Sequence, residues 1–138
     1  MDIKQEHPPV KFGKTGVLII NLGTPNSTSW FDIRKYLKEF LSDRRVIEVN
    51  PIVWQIILNV FILTFRPSKT AKAYKEIWMK DKNISPLLYY TQKQAEKLSS
   101  TMSKKDLIID YAMRYGNPSI RSKIATLHKQ GCENLIIL

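Results

Sequence analysis

The chain has 138 residues, a hydrophobic fraction of 43%, a charged fraction of 25% and a formal net charge of +10 at pH 7. Those fractions belong to a globular protein with one core and exclude a disordered chain or a coiled coil. The excess of cations favours an anionic partner: nucleic acid, acidic lipid, or a small molecule bearing carboxylates or phosphates.

Residues 1–13 lack the apolar run of a secretory signal and read as a flexible tail, leaving 14–138 as one domain. Val17–Asn21 is a short apolar, mostly β-branched run closed by Gly23 and Pro25, which predicts a buried strand and a turn. Ser29 followed by Asp32 resembles a capping box, and Ile33, Leu37, Phe40 and Leu41 keep helical spacing, predicting a helix from Trp30 to Leu41. Asn50 before Pro51 starts a second helix that is apolar on nearly every face. Its longest apolar stretch, Ile52 to Phe65, is roughly fourteen residues against the about twenty that cross a bilayer, so no membrane span is expected. Such a helix is buried, or pressed against something apolar outside the domain.

Ser68 is placed to cap a third helix with Ala71, Tyr74 and Trp78 on its core face. Ser85-Pro86 opens a helix reaching about Met102. Leu107–Tyr111 predicts a second strand, and Asn117-Pro118 opens a helix that Gly131 ends. Leu135–Leu138 predicts a third strand. Strands alternating with helices make the fold class α/β, a parallel sheet flanked by helices. The last strand runs apolar to the final residue, so a domain truncated at its C-terminus is expected, completed by a second half, a second polypeptide or self-association.

Local motifs alone leave the chemistry open. Asn21-Leu22-Gly23-Thr24-Pro25 puts a glycine at the carboxyl end of the first strand, where open parallel sheets hold ligands, yet the same residues make an ordinary turn. No GxGxxG or P-loop pattern follows. Arg114 and Tyr115 at the corresponding end of the second strand could hold an acidic ring, the guanidinium clamping a carboxylate and the phenol offering a face and a hydroxyl. His7 and His128 have no partner at ligand spacing, so no metal site is expected. The single cysteine, Cys132, excludes an intrachain disulfide and a multi-cysteine metal site, points to a reducing compartment, and reads as structural.

The order of the segments is more specific than any one of them: NLGTP, then Arg66-Pro67 leading to Ala73-Tyr74-Lys75-Glu76-Ile77-Trp78, then Ser85-Pro86-Leu87, then Met113-Arg114-Tyr115-Gly116-Asn117-Pro118-Ser119-Ile120. Together, over about residues 14 to 138, they resemble bacterial ferrochelatases. The resemblance implies a chelatase-like half domain with a half-formed porphyrin cleft, acting in heme biosynthesis on ferrous iron and protoporphyrin IX as substrates. No cofactor is implied for this chain. The family's metal-delivering histidine and acidic residue belong beyond residue 138, so no catalytic residue is assigned here and the chain alone is expected to be inactive.

Carried over by motif, the porphyrin contacts implied are Leu22, Ser85, Arg114 and Tyr115, with Arg66 and Tyr74 as weaker candidates. One branch of the family has a metal-contacting tyrosine at the position of Leu22; leucine removes that ligand and leaves an apolar wall. Relatives also place glycines immediately ahead of the serine, where this chain has Asp81-Lys82-Asn83-Ile84, so a different turn is expected there. The resemblance further implies an apolar membrane lip built here from Leu37, Phe40, Leu41, Trp54, Ile57, Phe61 and Phe65. Arg34, Lys35, Lys38, Arg44 and Arg45 flank it, which suits an anionic bilayer and a cytoplasmic protein peripheral at the inner face of the membrane. The competing class is a non-enzymatic module binding porphyrin or a membrane surface. Scattered lysines without a recognition motif argue against nucleic acid.

Overall fold

The computed structural model describes residues 13–138; of the expected tail only Gly13 falls inside that range, and His7 lies outside it. Three parallel strands form the sheet in the order β2-β1-β3: β1 Lys14–Thr24, β2 Leu107–Gly116 and β3 Cys132–Ile137. The helices are α1 Trp30–Ser42, α2 Pro51–Ile77, α3 Pro86–Thr101 and α4 Ile120–Lys129. This is the expected parallel sheet flanked by helices.

Strand alternation sends successive side chains to opposite faces. Leu18, Ile20, Ile108 and Ala112 pack with Leu127 and Ile120 of α4 and with Cys132. The intervening residues meet α3, where Asn21 Nδ2 donates to Thr91 Oγ1 at 3.2 Å and Gln92 Nε2 donates to the Tyr111 hydroxyl at 2.7 Å.

Both long strands run past their apolar cores. β1 and β2 stay paired through Gly23 with Tyr115 and Thr24 with Gly116, so Leu22, Arg114 and Tyr115, expected just after the strands, stand within them. The ladder needs only backbone groups, which an apolar run does not delimit.

Side-chain caps start the helices. Asn50 Oδ1 accepts from the Ile52 and Val53 amides, and Ser85 Oγ accepts from Leu88 N at 3.2 Å. Ser29 Oγ accepts from Asp32 N at 3.2 Å, but the return bond of the expected box is relayed: Ser29 N donates to Ser27 Oγ, whose hydroxyl donates to Asp32. The last helix begins at Ile120 with Ser119 as its cap, because the Pro118 carbonyl is engaged by Met113 N at 2.7 Å.

The largest departure lies in α2, which is continuous for 27 residues where a break and a new cap at Ser68 were expected. Pro67 has no N–H to give the Leu63 carbonyl one turn back, a loss that normally ends or kinks a helix. Arg34 Nε of α1 donates to that carbonyl instead, at 3.2 Å. One wider π turn, Ile57–Ile62, precedes it. By length and composition alone α2 could cross a membrane, which the fourteen-residue apolar stretch did not foretell.

One side of α2 is taken up by α1, since Leu58, Leu63 and Ala71 are buried against Ile33, Leu37 and Leu41. That corrects the expectation for Leu37 and Leu41: each is only 7% exposed, because both share the inward stripe of α1 with Ile33 and cannot form a lip surface. Phe40 and Trp54 are half-buried on the same cluster, and Trp54 Nε1 donates to the Leu41 carbonyl at 2.7 Å. Ile57, Phe61 and Phe65 face outward, Phe65 with 73% of its surface exposed.

Candidate functional site

The carboxyl ends of β1 and β2 are locked by two glycines. Gly23 has φ of +114°, and a Cβ there would lie 1.8 Å from the Tyr115 carbonyl oxygen; Gly116 has φ of +82°, and a Cβ would lie 2.6 Å from that of Thr24. Any side chain would therefore force the strands apart, which is why both motifs carry glycine at this level. Helix α1 clamps the pair: the Tyr36 hydroxyl donates to Gly23 O at 3.2 Å and Gly116 N donates to Glu39 Oε2 at 3.1 Å. Burial, and after it Tyr74, push the Tyr36 phenol well above its ordinary pKa, so it stays a neutral donor.

Beside this junction lies an open depression of about 590 Å³ lined by Lys35, Lys38, Glu39, Asp43, Arg114 and Tyr115. Asp43, one residue past α1, organises it. Its Oδ2 accepts from Arg114 Nη2 at 2.6 Å and from the Tyr115 hydroxyl at 3.0 Å, while Oδ1 accepts from Arg45 N at 2.9 Å. The Arg45 amide first, then Tyr115 and Arg114, hold the Asp43 carboxyl below its ordinary range, so it is a carboxylate at neutral pH. Burial, then the bond to Asp43, raise the Tyr115 phenol. The guanidinium carbon of Arg114 sits 5.2 Å from the centre of the Tyr115 ring, and Phe40 meets that ring edge-on at 5.1 Å. Leu22 lies at the level of Arg114, between the register pairs Asn21–Met113 and Gly23–Tyr115, and is 51% exposed.

The structure thus brings Leu22, Arg114 and Tyr115 to one sheet edge. Ser85 is elsewhere and buried, its hydroxyl occupied as the cap of α3. The turn before it reaches the cap without glycine: Asn83 takes positive φ, 51°, which asparagine tolerates, and Ile84 pairs with Met79 in an antiparallel bridge. Arg66 and Tyr74 line a separate depression of about 710 Å³ along α2, with Lys69 and Ile77. Tyr74 also meets Tyr36 edge-on at 6.4 Å and Trp78 at 6.3 Å. His128 is exposed and Cys132 is buried in the sheet core. Among the described residues no cluster of three or more His, Cys, Asp or Glu could hold a metal ion.

Sequence reasoning missed Tyr36, Glu39 and Asp43. Their spacing of three and four was the available signal, because it puts three hydrogen-bonding groups on one face at the end of an amphipathic helix.

A parallel α/β half domain with a cationic, aromatic-lined edge is the class that fold and site define. The family model for ferrochelatase matches residues 14–138, and the chain belongs to the ferrochelatase family. A ferrochelatase of Allorhizobium ampelinum is 48% identical over 136 residues, 98% of this chain and 40% of that protein. One from Francisella tularensis subsp. holarctica is 53% identical over 127 residues, 92% of this chain and 38% of the relative. The chain therefore spans about 40% of the length of the curated relatives it matches.

Proposed function

We propose that the chain is the porphyrin-gripping first half of a ferrochelatase, the lyase that inserts ferrous iron into protoporphyrin IX in heme biosynthesis, and that it has no chelatase activity alone. The observation supporting this reading is the convergence of the two family motifs on one edge, with Leu22 level with Arg114 in the strand register, and Arg114 and Tyr115 lining a depression with Lys35 and Lys38. In this reading Arg114 takes a ring carboxylate, Tyr115 supports the guanidinium and offers apolar edge, and Leu22 walls the macrocycle. Ser85 would contribute through the start of α3, its hydroxyl being used as a cap. Arg66 and Tyr74 would belong to an outer basic surface on α2.

Insertion of the metal requires bending of the ring and a base close to the pyrrole nitrogens, and no residue of this chain is assigned to those steps. Titration of the chain with protoporphyrin IX, followed by the Soret band and porphyrin fluorescence, tests the grip; ferrous or zinc ion added to the same cuvette tests the chemistry. Saturable binding without metallation is the expected result. Metallation at the rate of an intact relative would overturn the inactivity, and absence of binding would overturn the grip.

The exposed stripe of Ile57, Phe61 and Phe65 favours a further role, contact with the inner face of the cytoplasmic membrane by a peripheral protein. Arg44 and Arg45 are exposed and would meet acidic headgroups. Because the opposite side of α2 is committed to α1, the helix would lie on a bilayer rather than cross it. Sedimentation with liposomes containing acidic lipid, and its loss with neutral ones, is the expected outcome; no sedimentation with either would remove this role.

A further inference from the structure

The geometry points to Asp43 as a positioning residue for the porphyrin grip: it fixes the Arg114 guanidinium against the Tyr115 ring, so that the remaining donors of Arg114 face a carboxylate-bearing macrocycle. This rests on the porphyrin reading above and adds a residue that neither composition nor family motif singles out.

Three observations carry it. Asp43 engages Arg114 through Nη2 only, and among the described residues Nε and Nη1 have no protein partner. A guanidinium anchored at one nitrogen and lying 5.2 Å from a ring centre keeps few rotamers, yet retains N–H donors for a second acid. The two side chains are also layered, Arg114 being 43% exposed and Asp43 14%. A ligand arriving from solvent therefore meets the cation before the carboxylate beneath it. Finally, Asp43 is itself fixed from two further directions, by the Arg45 amide and the Tyr115 hydroxyl. A side chain held on three sides is suited to hold another, because its own freedom is already lost before the ligand binds.

The alternative role for an acid at such a place is competition, in which Asp43 occupies Arg114 and must be displaced by the ligand. The two roles predict opposite signs. Removing a carboxylate near an anion site strengthens binding by simple Coulomb attraction, and removing a competitor strengthens it further. Removing a positioning group weakens it, despite the more favourable charge.

The experiment compares the 138-residue chain with its Asp43→Asn and Asp43→Glu variants, titrated with protoporphyrin IX and with its dimethyl ester, which lacks the acids. Far-UV circular dichroism checks that each is folded. Asp43→Asn is expected to weaken binding of the diacid on the order of tenfold and of the ester little, with Asp43→Glu recovering part of the loss. Unchanged or tighter binding of the diacid by Asp43→Asn would overturn the proposal. In parallel, 15N resonances of the Arg114 side chain in the ligand-free chain should broaden or merge in Asp43→Ala. If wild type binds neither porphyrin, the functional reading fails by itself, and Arg114 equally ordered in wild type and Asp43→Ala would then overturn the positioning role.

Discussion

The carboxyl end of the β1–β2 pair and the long helix α2 present their surfaces in opposite ways. At the sheet edge almost every group is fixed by another: two glycines at positive φ press the backbones together, Tyr36 and Glu39 clamp them, and Asp43 ties down Arg114 and Tyr115. Helix α2 is fixed along one stripe only and leaves Phe61 and Phe65 in solvent. Polar geometry at the sheet edge is over-determined, whereas the apolar stripe of α2 is left loosely constrained.

The contrast can be broken most forcefully at Gly23. Gly23→Ala places a methyl group against the Tyr115 carbonyl and a side chain at positive φ, so a loss of about 4 kcal/mol or outright unfolding is expected in a denaturant titration. On the other side of the comparison, Leu63→Ala empties a fully buried position between α1 and α2 and should cost about 3 kcal/mol by the same measurement.

Smaller effects sharpen the picture. The Thr24 hydroxyl is buried and has no hydrogen-bond partner among the described residues. Thr24→Val removes it at nearly constant volume and should leave stability unchanged or raise it by about 1 kcal/mol, read from the denaturation midpoint. Phe65→Ser should change stability by less than about 0.5 kcal/mol while lowering the fraction that sediments with acidic liposomes. A large stability loss in Phe65→Ser would mean that this side chain is packed rather than presented.

Much of this architecture was legible in the residues, and the parts that were not have physical reasons. Asn50, Ser85 and the strand cores of β1 and β2 signal locally, through caps and apolar runs, and were readable. The continuity of α2 through Pro67 was not, because the group that replaces the lost hydrogen bond, Arg34, comes from another helix. The inward turn of Leu37 and Leu41 required knowing which side of α1 meets α2. At the site, Arg114 and Tyr115 could be picked out as chemistry, but their partner Asp43 lies about seventy residues away in sequence and only the fold joins them.

The proposed grip on the porphyrin acid lies at the sheet edge and not on the basic surface of α2. Its most direct test is the affinity of the chain for protoporphyrin IX, measured by fluorescence titration, in Arg114→Ala and Arg66→Ala. A loss on the order of tenfold is expected for Arg114→Ala and a clearly smaller one for Arg66→Ala. Undiminished affinity in Arg114→Ala, or the larger loss in Arg66→Ala, would contradict it.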